Sequence, residues 1–288
     1  TMIRAPWFVF CSRLHRHAHS AIQQTCSSLP VAKNANGAAL PKIRSATPVP
    51  DSTDMPADLG LLHRLSTEPI EIDGRMPNSS NATFLVTVGD PELGTKGIYK
   101  PLRGERPLWD FEPGLYKREI AAFRLSEALG FDLIPPTVLC DGPLGEGSLQ
   151  LFINYDPAEH YFIMYESRPE IHDRLKAMAV FDVVANNTDR KGGHVLIDEA
   201  GAVWGIDHGV CFNDEFKLRT VIWDFAGQQI DESLLTPLEQ LMQTVPLNIA
   251  ALLSDSEIES MLMRTEWLLE NKVFPAPESR YEYPWPLL

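Results

Sequence analysis

Cysteine is scarce in this chain, which has four in 288 residues, at Cys11, Cys26, Cys140 and Cys211, with no Cys-x-x-Cys pair. That distribution excludes a zinc framework and a disulfide-stapled fold, and it fits a reducing, cytoplasmic setting. No apolar run approaches the roughly 18–20 residues that a membrane-spanning helix needs, so no transmembrane segment is expected. The formal net charge is −14, yet residues 1–50 hold no Asp or Glu and six Lys and Arg. Residues 51–288 therefore carry 19 basic against 39 acidic side chains, a net of −20. Such a body repels nucleic acid and anionic membranes, and no nucleic-acid partner is expected.

What is present is a hydrophobic content of 44%, enough for one large domain or two lobes around a cleft. Residues 1–55 read as a disordered leader or an extended, misassigned start, with the chain proper beginning near Met55. An organelle-type presequence is the alternative reading. Beyond Pro56, Leu61–Ile72 opens the structured part and Asp73-Gly74 reads as a turn. A polar loop at Pro77–Asn81 leads into a strand over Ala82–Val88, and Ile98–Lys100 forms the return strand, closed by Pro101. Leu115–Leu129 has helical spacing with Gly130 as C-cap. Thr137–Cys140, a glycine-rich turn at Gly142–Gly147, and the alternating Leu149, Leu151 and Ile153 continue the β-rich part. Helices are expected over Ser167–Asn187, Pro237–Val245 and Ser256–Asn271, followed by an irregular aromatic tail, Tyr281–Leu288. The order is α+β and two-lobed: residues 56–153 form a β-rich N-lobe with one helix and 154–288 a helix-rich C-lobe.

The chemistry concentrates in Phe181–Phe212, FDVVANNTDRKGGHVLIDEAGAVWGIDHGVCF. A helix ends in a polar loop with Asp189, Arg190, Lys191 and His194, and a short strand delivers Asp207 into Asp207-His208-Gly209. One carboxylate orienting a nucleophile while another holds Mg²⁺ on a phosphate suits phosphoryl transfer, which rests on positioning and charge neutralisation. Asp189 is expected to orient the acceptor hydroxyl, and Arg190 or Lys191 to steady transition-state charge. Asp207 is expected to bind Mg²⁺, its carboxylate left exposed by a tight turn at Gly209; the plainer reading is an Asx-turn aspartate. His194 reads either as a metal or phosphate ligand or as a satisfied loop histidine. Asp182, on an apolar helix face, reads as structural, bracing backbone groups of the following loop. Asn186 and Asn187 either fix that loop or contribute a ligand. Upstream, the period of two places Lys100 on the face of Ile98, opposite Tyr99. Glu119, at the apolar border of its helix, needs a partner: Lys100, or a neighbouring Lys117 or Arg118. Asp224-Phe225-Ala226-Gly227 looks like a metal motif but lies too far downstream, so Asp224 is read as structural.

NNTDRKGGH followed by GIDHG resembles the catalytic and metal-binding motifs of phosphatidylinositol 3-/4-kinase-like proteins, with bacterial kinases of the HipA type as more distant relatives. SSNATFLV, GIYKP, YKREIAAFRLSEALG, NNTDRKGGHVL, GIDHGVCF and LRTVIWDFAG together resemble one family of bacterial proteins with that remote kinase similarity, over residues 59–288. The resemblance implies a protein-kinase-like fold that binds ATP and Mg²⁺, with Lys100 as the nucleotide lysine and Glu119 as its helix partner. It makes Asp189 the catalytic aspartate and Asp207 the metal ligand. The loop Asn78–Thr83, with Asn78, Ser79, Ser80 and Asn81, would cover phosphates through backbone N–H groups, without the glycines of protein kinases. The strand Leu149–Ile153, with Gln150 and Phe152, would supply the adenine-contacting hinge. His194 departs from the pattern, because the larger families place Asn there and neutral imidazole is a poorer Mg²⁺ ligand than oxygen. The implied activity is a kinase whose phosphoryl acceptor is open: a protein, a small alcohol or an inositol lipid. A pseudokinase acting as a nucleotide-gated module, a metal-dependent hydrolase built on Asp189, His194, Asp207 and His208, and adenylyl transfer are the alternatives.

Overall fold

Alternating burial along short, β-branched segments draws the first half of the chain into an antiparallel sheet. The structure is a computed structural model and describes residues 57–77 and 79–288. The expectations for residues 1–55, and for Asn78, lie outside the described residues. Helix α1 (Ala57–Thr67) precedes strands β1 (Ile70–Arg75), β2 (Phe84–Val88) and β3 (Thr95–Pro101). Helix α2 (Leu115–Ala128) follows, then the hairpin β4 (Thr137–Gly142) and β5 (Gly145–Leu151). The five strands are ordered β1-β2-β3-β5-β4, with every neighbouring pair antiparallel. Asp73-Gly74, expected as a turn, lies inside β1, where the register slips between Ile72 and Gly74. The bulge turns the Asp73 carboxylate toward Thr87 and Lys96, whose donors lie 2.9 and 3.0 Å away. The turn expected over Gly142–Gly147 shrinks to two residues, since Gly142 already pairs with Gly145. Gly147 sits where a Cβ would come within 2.4 Å of the Lys100 carbonyl oxygen, so no side chain fits beside the end of β3.

Helix α2 begins at Gly114, which offers no side-chain cap. The Glu105 carboxylate does that work, accepting from the Gly114 and Tyr116 backbone N–H groups at 2.8 and 2.9 Å. Gly130 lies just past the helix with φ 62°, as its C-terminal placement predicts.

The second half is mostly helical: α3 (Tyr161–Ser167), α4 (His172–Ala185), the small hairpin β6 (Val195–Ile197) and β7 (Val203–Gly205), then α5 (Glu232–Gln243), α6 (Leu247–Ala250) and α7 (Asp255–Asn271). The helix expected from Ser167 is split, because Pro169 opens a 3₁₀ turn and α4 starts only at His172. Helix α5 starts a turn before Pro237, which lies inside it rather than at its start. Helix α7 carries a capping box in which Ser254 and Glu257 satisfy each other's backbone N–H groups. The tail is irregular apart from a 3₁₀ turn at Arg280–Glu282.

Two apolar clusters underlie this arrangement. Leu65, Val86, Val88, Tyr99, Val138, Cys140 and Leu149 fill the sheet's core. Ala121, Ala122 and Leu125 of α2 instead join the larger core around α4, α5 and α7. Helix α2 is thus anchored to the helical part while it lies against β4 and β5. An Arg118–Glu257 ion pair reinforces that anchorage. The α+β, two-lobed order expected of a protein-kinase-like fold is the order observed. Among the described residues no helix is long and apolar enough to cross a membrane.

Candidate functional site

Lys100 and Tyr99 sit on opposite faces of β3, as the two-residue period requires. Tyr99 is fully buried in the sheet core, and Lys100 turns into the cleft. The Lys100 ammonium pairs with Glu119, and its Nζ lies 2.9 Å from Asp207 Oδ1. Burial alone pulls the lysine pKa down, but the Asp207 and Glu119 carboxylates overcome this and hold it above its ordinary value. Glu119, almost wholly buried, also accepts from the His208 backbone N–H at 3.0 Å. One carboxylate on α2 therefore fixes both the sheet lysine and the turn that presents Asp207. Lys117 and Arg118 are not its partners; Arg118 pairs with Glu257.

Asp207 takes a left-handed conformation, φ 62°, at the end of the β7 segment, a position that tolerates Asp better than most residues. Gly209, expected to supply the tight turn, has ordinary φ; its role is space, since a Cβ there would lie 3.3 Å from Glu119 Oε1. The Asp207 side chain remains 53% exposed. The Lys100 ammonium holds its carboxyl well below the usual carboxylate range, against the opposing effect of burial.

The loop after α4 is braced from within. Asn186 ends the helix at φ 50°, donates to the carbonyls of Asn213 and Glu215, and accepts from the Lys217 N–H. Asn187 donates to Asp182 at 3.0 Å and accepts from the Asp189 N–H at 3.0 Å. Both asparagines are fully buried, so they fix the loop and contribute no ligand. Asp182 braces side chains rather than backbone groups: Asn187, Thr220 and, above all, Arg190.

Arg190 corrects an expectation. It is 0% exposed, grips Asp182 through Nε and Nη2, and donates through Nη1 to the carbonyls of His194 and Ile206 at 3.2 and 3.0 Å. A guanidinium so committed ties the loop to the approach to Asp207 and cannot meet substrate. Lys191 takes the cleft position instead, with Nζ 2.9 Å from Asp189 Oδ2. His208 also points inward, its Nε2 2.6 Å from Arg190 Nη2. Burial, the Arg190 guanidinium and the Lys100 ammonium push its pKa well down, so it is neutral. With Nε2 turned onto Arg190, His208 does not join Asp189, His194 and Asp207 in the cleft, and among the described residues no group of three or more His, Cys, Asp or Glu could hold a metal ion.

His194 does face the cleft. Its Nδ1 lies 3.1 Å from the Asp189 carbonyl oxygen and its Nε2 3.6 Å from Asp207 Oδ2. Burial lowers its pKa, with Asp207 opposing, which keeps the ring neutral. Nδ1 also lies 3.5 Å from the Lys191 N–H; the tautomer that donates from Nδ1 to the closer Asp189 carbonyl turns the Nε2 lone pair toward Asp207, the orientation that ligating histidines adopt.

Two cavities of about 250 Å³ each share Ser79, Thr83, Lys100, His194 and Asp207, and so form one cleft with two compartments. The polar compartment adds Ser80, Asn81, Glu119, Asp189 and Lys191. The apolar one adds Ile98, Gln150, Phe152, Leu196 and Ile206. Within the loop expected to cover phosphates, the Ala82 N–H is already committed to the Gly104 carbonyl, and Asn81 Oδ1 accepts from the Arg106 N–H. In the strand expected as the hinge, the Phe152 N–H goes to the Lys96 carbonyl and the Gln150 amide to Thr137, so both line the compartment with their hydrogen-bonding groups partly spent. The sequence reading missed Ile98, Leu196 and Ile206 as a lining set. Their only signal was a set of apolar residues next to the chemistry-bearing ones. Asp224 is structural as expected, accepting from the Tyr161 hydroxyl at 2.5 Å.

No family model matches the chain. Among solved structures, it resembles the Helicobacter pylori proinflammatory kinase CtkA with TM-score 0.44 and 13% identity, over 73% of this chain and 94% of that one. It resembles hydra Fam20 with sugar with TM-score 0.48 and 16% identity, over 74% and 87% of the two chains. By sequence it is 37% identical over 262 residues to Protein Rv2133c of Mycobacterium tuberculosis, covering 77% of this chain and 93% of that protein. With that identity sustained along nearly the whole relative, the chain belongs to the family of Protein Rv2133c.

Proposed function

We propose that the protein is an ATP- and Mg²⁺-dependent phosphotransferase, a kinase of the phosphatidylinositol 3-/4-kinase-like type acting on an alcohol. The observation that carries this reading is Lys100 held between Glu119 and Asp207 at the junction of an apolar and a polar compartment. The apolar compartment suits a flat base, and the lysine beside it suits the phosphates. Asp207, ionised and exposed, and the lone pair of His194 Nε2 are the groups that would hold Mg²⁺, an ion commonly bound by one or two carboxylates together with phosphate oxygens. Bound there, Mg²⁺ would supply charge neutralisation on the phosphates. Asp189 is positioned by Asn187 to accept the proton of an incoming hydroxyl, and Lys191 is placed to steady the charge that develops.

The second reading, a nucleotide-binding module without turnover, draws on His194, an imidazole where an oxygen ligand would suit Mg²⁺ better. Mg²⁺-dependent ATP turnover by the purified chain separates the two. Asp207→Ala is expected to raise the Mg²⁺ concentration needed for ATP binding by about tenfold or more, the effect of losing one charged ligand. Unchanged Mg²⁺ dependence in that variant would remove Asp207 from the metal site.

A further inference from the structure

Asp189 also borders a further cavity of about 510 Å³, lined by Thr188, Arg219, Arg280, Tyr281 and Trp285, among others, and not by Lys100. We propose that this cavity is the acceptor site, and that it takes a small soluble polyol ring bearing an anionic group, a sugar phosphate being the simplest case. The proposal rests on Asp189 being the proton-accepting group of the phosphotransferase reading.

The lining has three chemistries, and each selects a part of the ligand. Arg219 is anchored by its Nε to the Tyr281 carbonyl oxygen at 3.2 Å, and its Nη groups have no protein partner among the described residues. Arg280 stacks over the Tyr281 ring at 5.3 Å, with its Nη2 3.5 Å from the Tyr281 hydroxyl. Both arginines thus contact Tyr281 and neither meets a carboxylate among the described residues, in a body with a net charge of −20 where acidic partners abound. Guanidinium groups without a carboxylate partner present their fork to an anion. Tyr281 and Trp285 are 72% and 87% exposed, yet they stand on backbone that is fixed. The Thr220 N–H donates to the Glu282 carbonyl at 3.1 Å, and the Gly192 N–H, in the catalytic loop itself, donates to the Leu287 carbonyl at 2.7 Å. Large flat side chains displayed on a tethered tail suit the apolar face of a ring. Asp189 supplies the third element, a carboxylate for the reacting hydroxyl. The volume lies within the range of small-molecule sites, roughly 300–1,000 Å³. The acidic body disfavours an anionic bilayer as the source of the ligand.

In the step this implies, the acceptor hydroxyl oxygen bonds to the γ-phosphorus of ATP. The bond from that phosphorus to the β,γ-bridging oxygen breaks, ADP leaves, and the hydroxyl proton passes to the Asp189 carboxylate.

The test is calorimetric titration of the full chain, without nucleotide, using glucose 6-phosphate, glucose, inorganic phosphate and phosphatidylinositol-containing vesicles as probes. Glucose 6-phosphate is expected to bind at least about tenfold tighter than either of the others, with Arg280→Ala or Arg219→Ala removing about tenfold or more. Arg280→Lys, which keeps charge but not the fork, should lose less, and unchanged melting temperatures certify folded variants. Trp285→Ala should weaken glucose 6-phosphate as well. Equal binding by wild type and the arginine variants overturns the proposal. So does glucose 6-phosphate binding no tighter than glucose, or binding confined to phosphatidylinositol-containing vesicles. An equal loss of Mg·ATP affinity in the arginine variants would place them in the nucleotide site and overturn it too. The two readings fail separately. Arginine-dependent binding without ATP turnover removes the kinase reading and keeps the pocket, whereas turnover without such binding does the reverse.

Discussion

Replacing Arg190 by alanine should unfold the protein more than it should alter chemistry at the cleft. The guanidinium lies 2.9–3.2 Å from the Asp182 carboxylate oxygens, and both groups are fully buried. Without it, Asp182 keeps only neutral donors, Asn187 and Thr220, at 3.0 and 3.3 Å. The Ile206 carbonyl loses its side-chain donor at the same time, and the His194 carbonyl is left with the Ile206 N–H alone. Breaking a buried pair from one side costs about 3–5 kcal/mol, because a charge is left without compensation. Stability in ordinary domains totals only about 5–15 kcal/mol, so much of it would go. With a urea slope of about 2–3 kcal/mol/M, the unfolding midpoint should fall by roughly 1–2.5 M. The assay is urea unfolding followed by circular dichroism, for Arg190→Ala, Asp182→Asn and the double variant. The double variant should be less destabilised than the two single losses added together, since it leaves no lone charge. A midpoint within experimental error of wild type, with phosphoryl transfer abolished, would refute this reasoning and return Arg190 to the reacting groups.

Glu119→Gln keeps the size of the side chain but removes the charge that holds Lys100. It should weaken Mg·ATP binding by about tenfold or more in a direct titration, and unchanged affinity would make the pair merely structural. Alkali should loosen the sheet core. Burial, with the nearby Cys140 thiol adding, raises the Tyr99 hydroxyl from 10.0 to about 12. The folded state thus keeps a proton the unfolded chain has released, so the stability it contributes is complete below pH 10 and is lost as pH rises toward 12. Urea midpoints should therefore decline over that window and decline less steeply in Tyr99→Phe. Parallel slopes for the two proteins would contradict the assignment.

The residues legible in the sequence were those whose position follows from short-range periodicity or from a compact motif. Lys100 faces the cleft because Tyr99 must face the core, and Glu119 follows from helical spacing on α2. Asp189 and Asp207 are legible because each sits in the loop just after a regular element, α4 and β7. What could not be read was direction within a loop. Arg190 and His208 are the immediate neighbours of Asp189 and Asp207, and nothing in composition shows that the backbone turns them inward onto each other. The left-handed φ fell on Asp207 and not on the glycine two positions later, because Gly209 was needed for close approach to Glu119. Pro237 suits a helix start, where proline is favoured, but the helix begins earlier, at Glu232, and runs through it. Long-range assembly was equally hidden. Arg219 and Arg280 come together beside Asp189 because the tail is hydrogen-bonded back onto Gly192 and Thr220.

Asp189→Ala compared with wild type, with Mg·ATP binding and γ-phosphoryl release measured on the same samples, tests the central claim most directly. The account predicts that wild type turns ATP over in a Mg²⁺-dependent way. The variant should bind Mg·ATP within about twofold of wild type and lose at least about a hundredfold in turnover, the scale of one positioned acid–base group. Turnover that survives the substitution unaltered, or a wild-type protein that neither binds nor hydrolyses Mg·ATP, would contradict it.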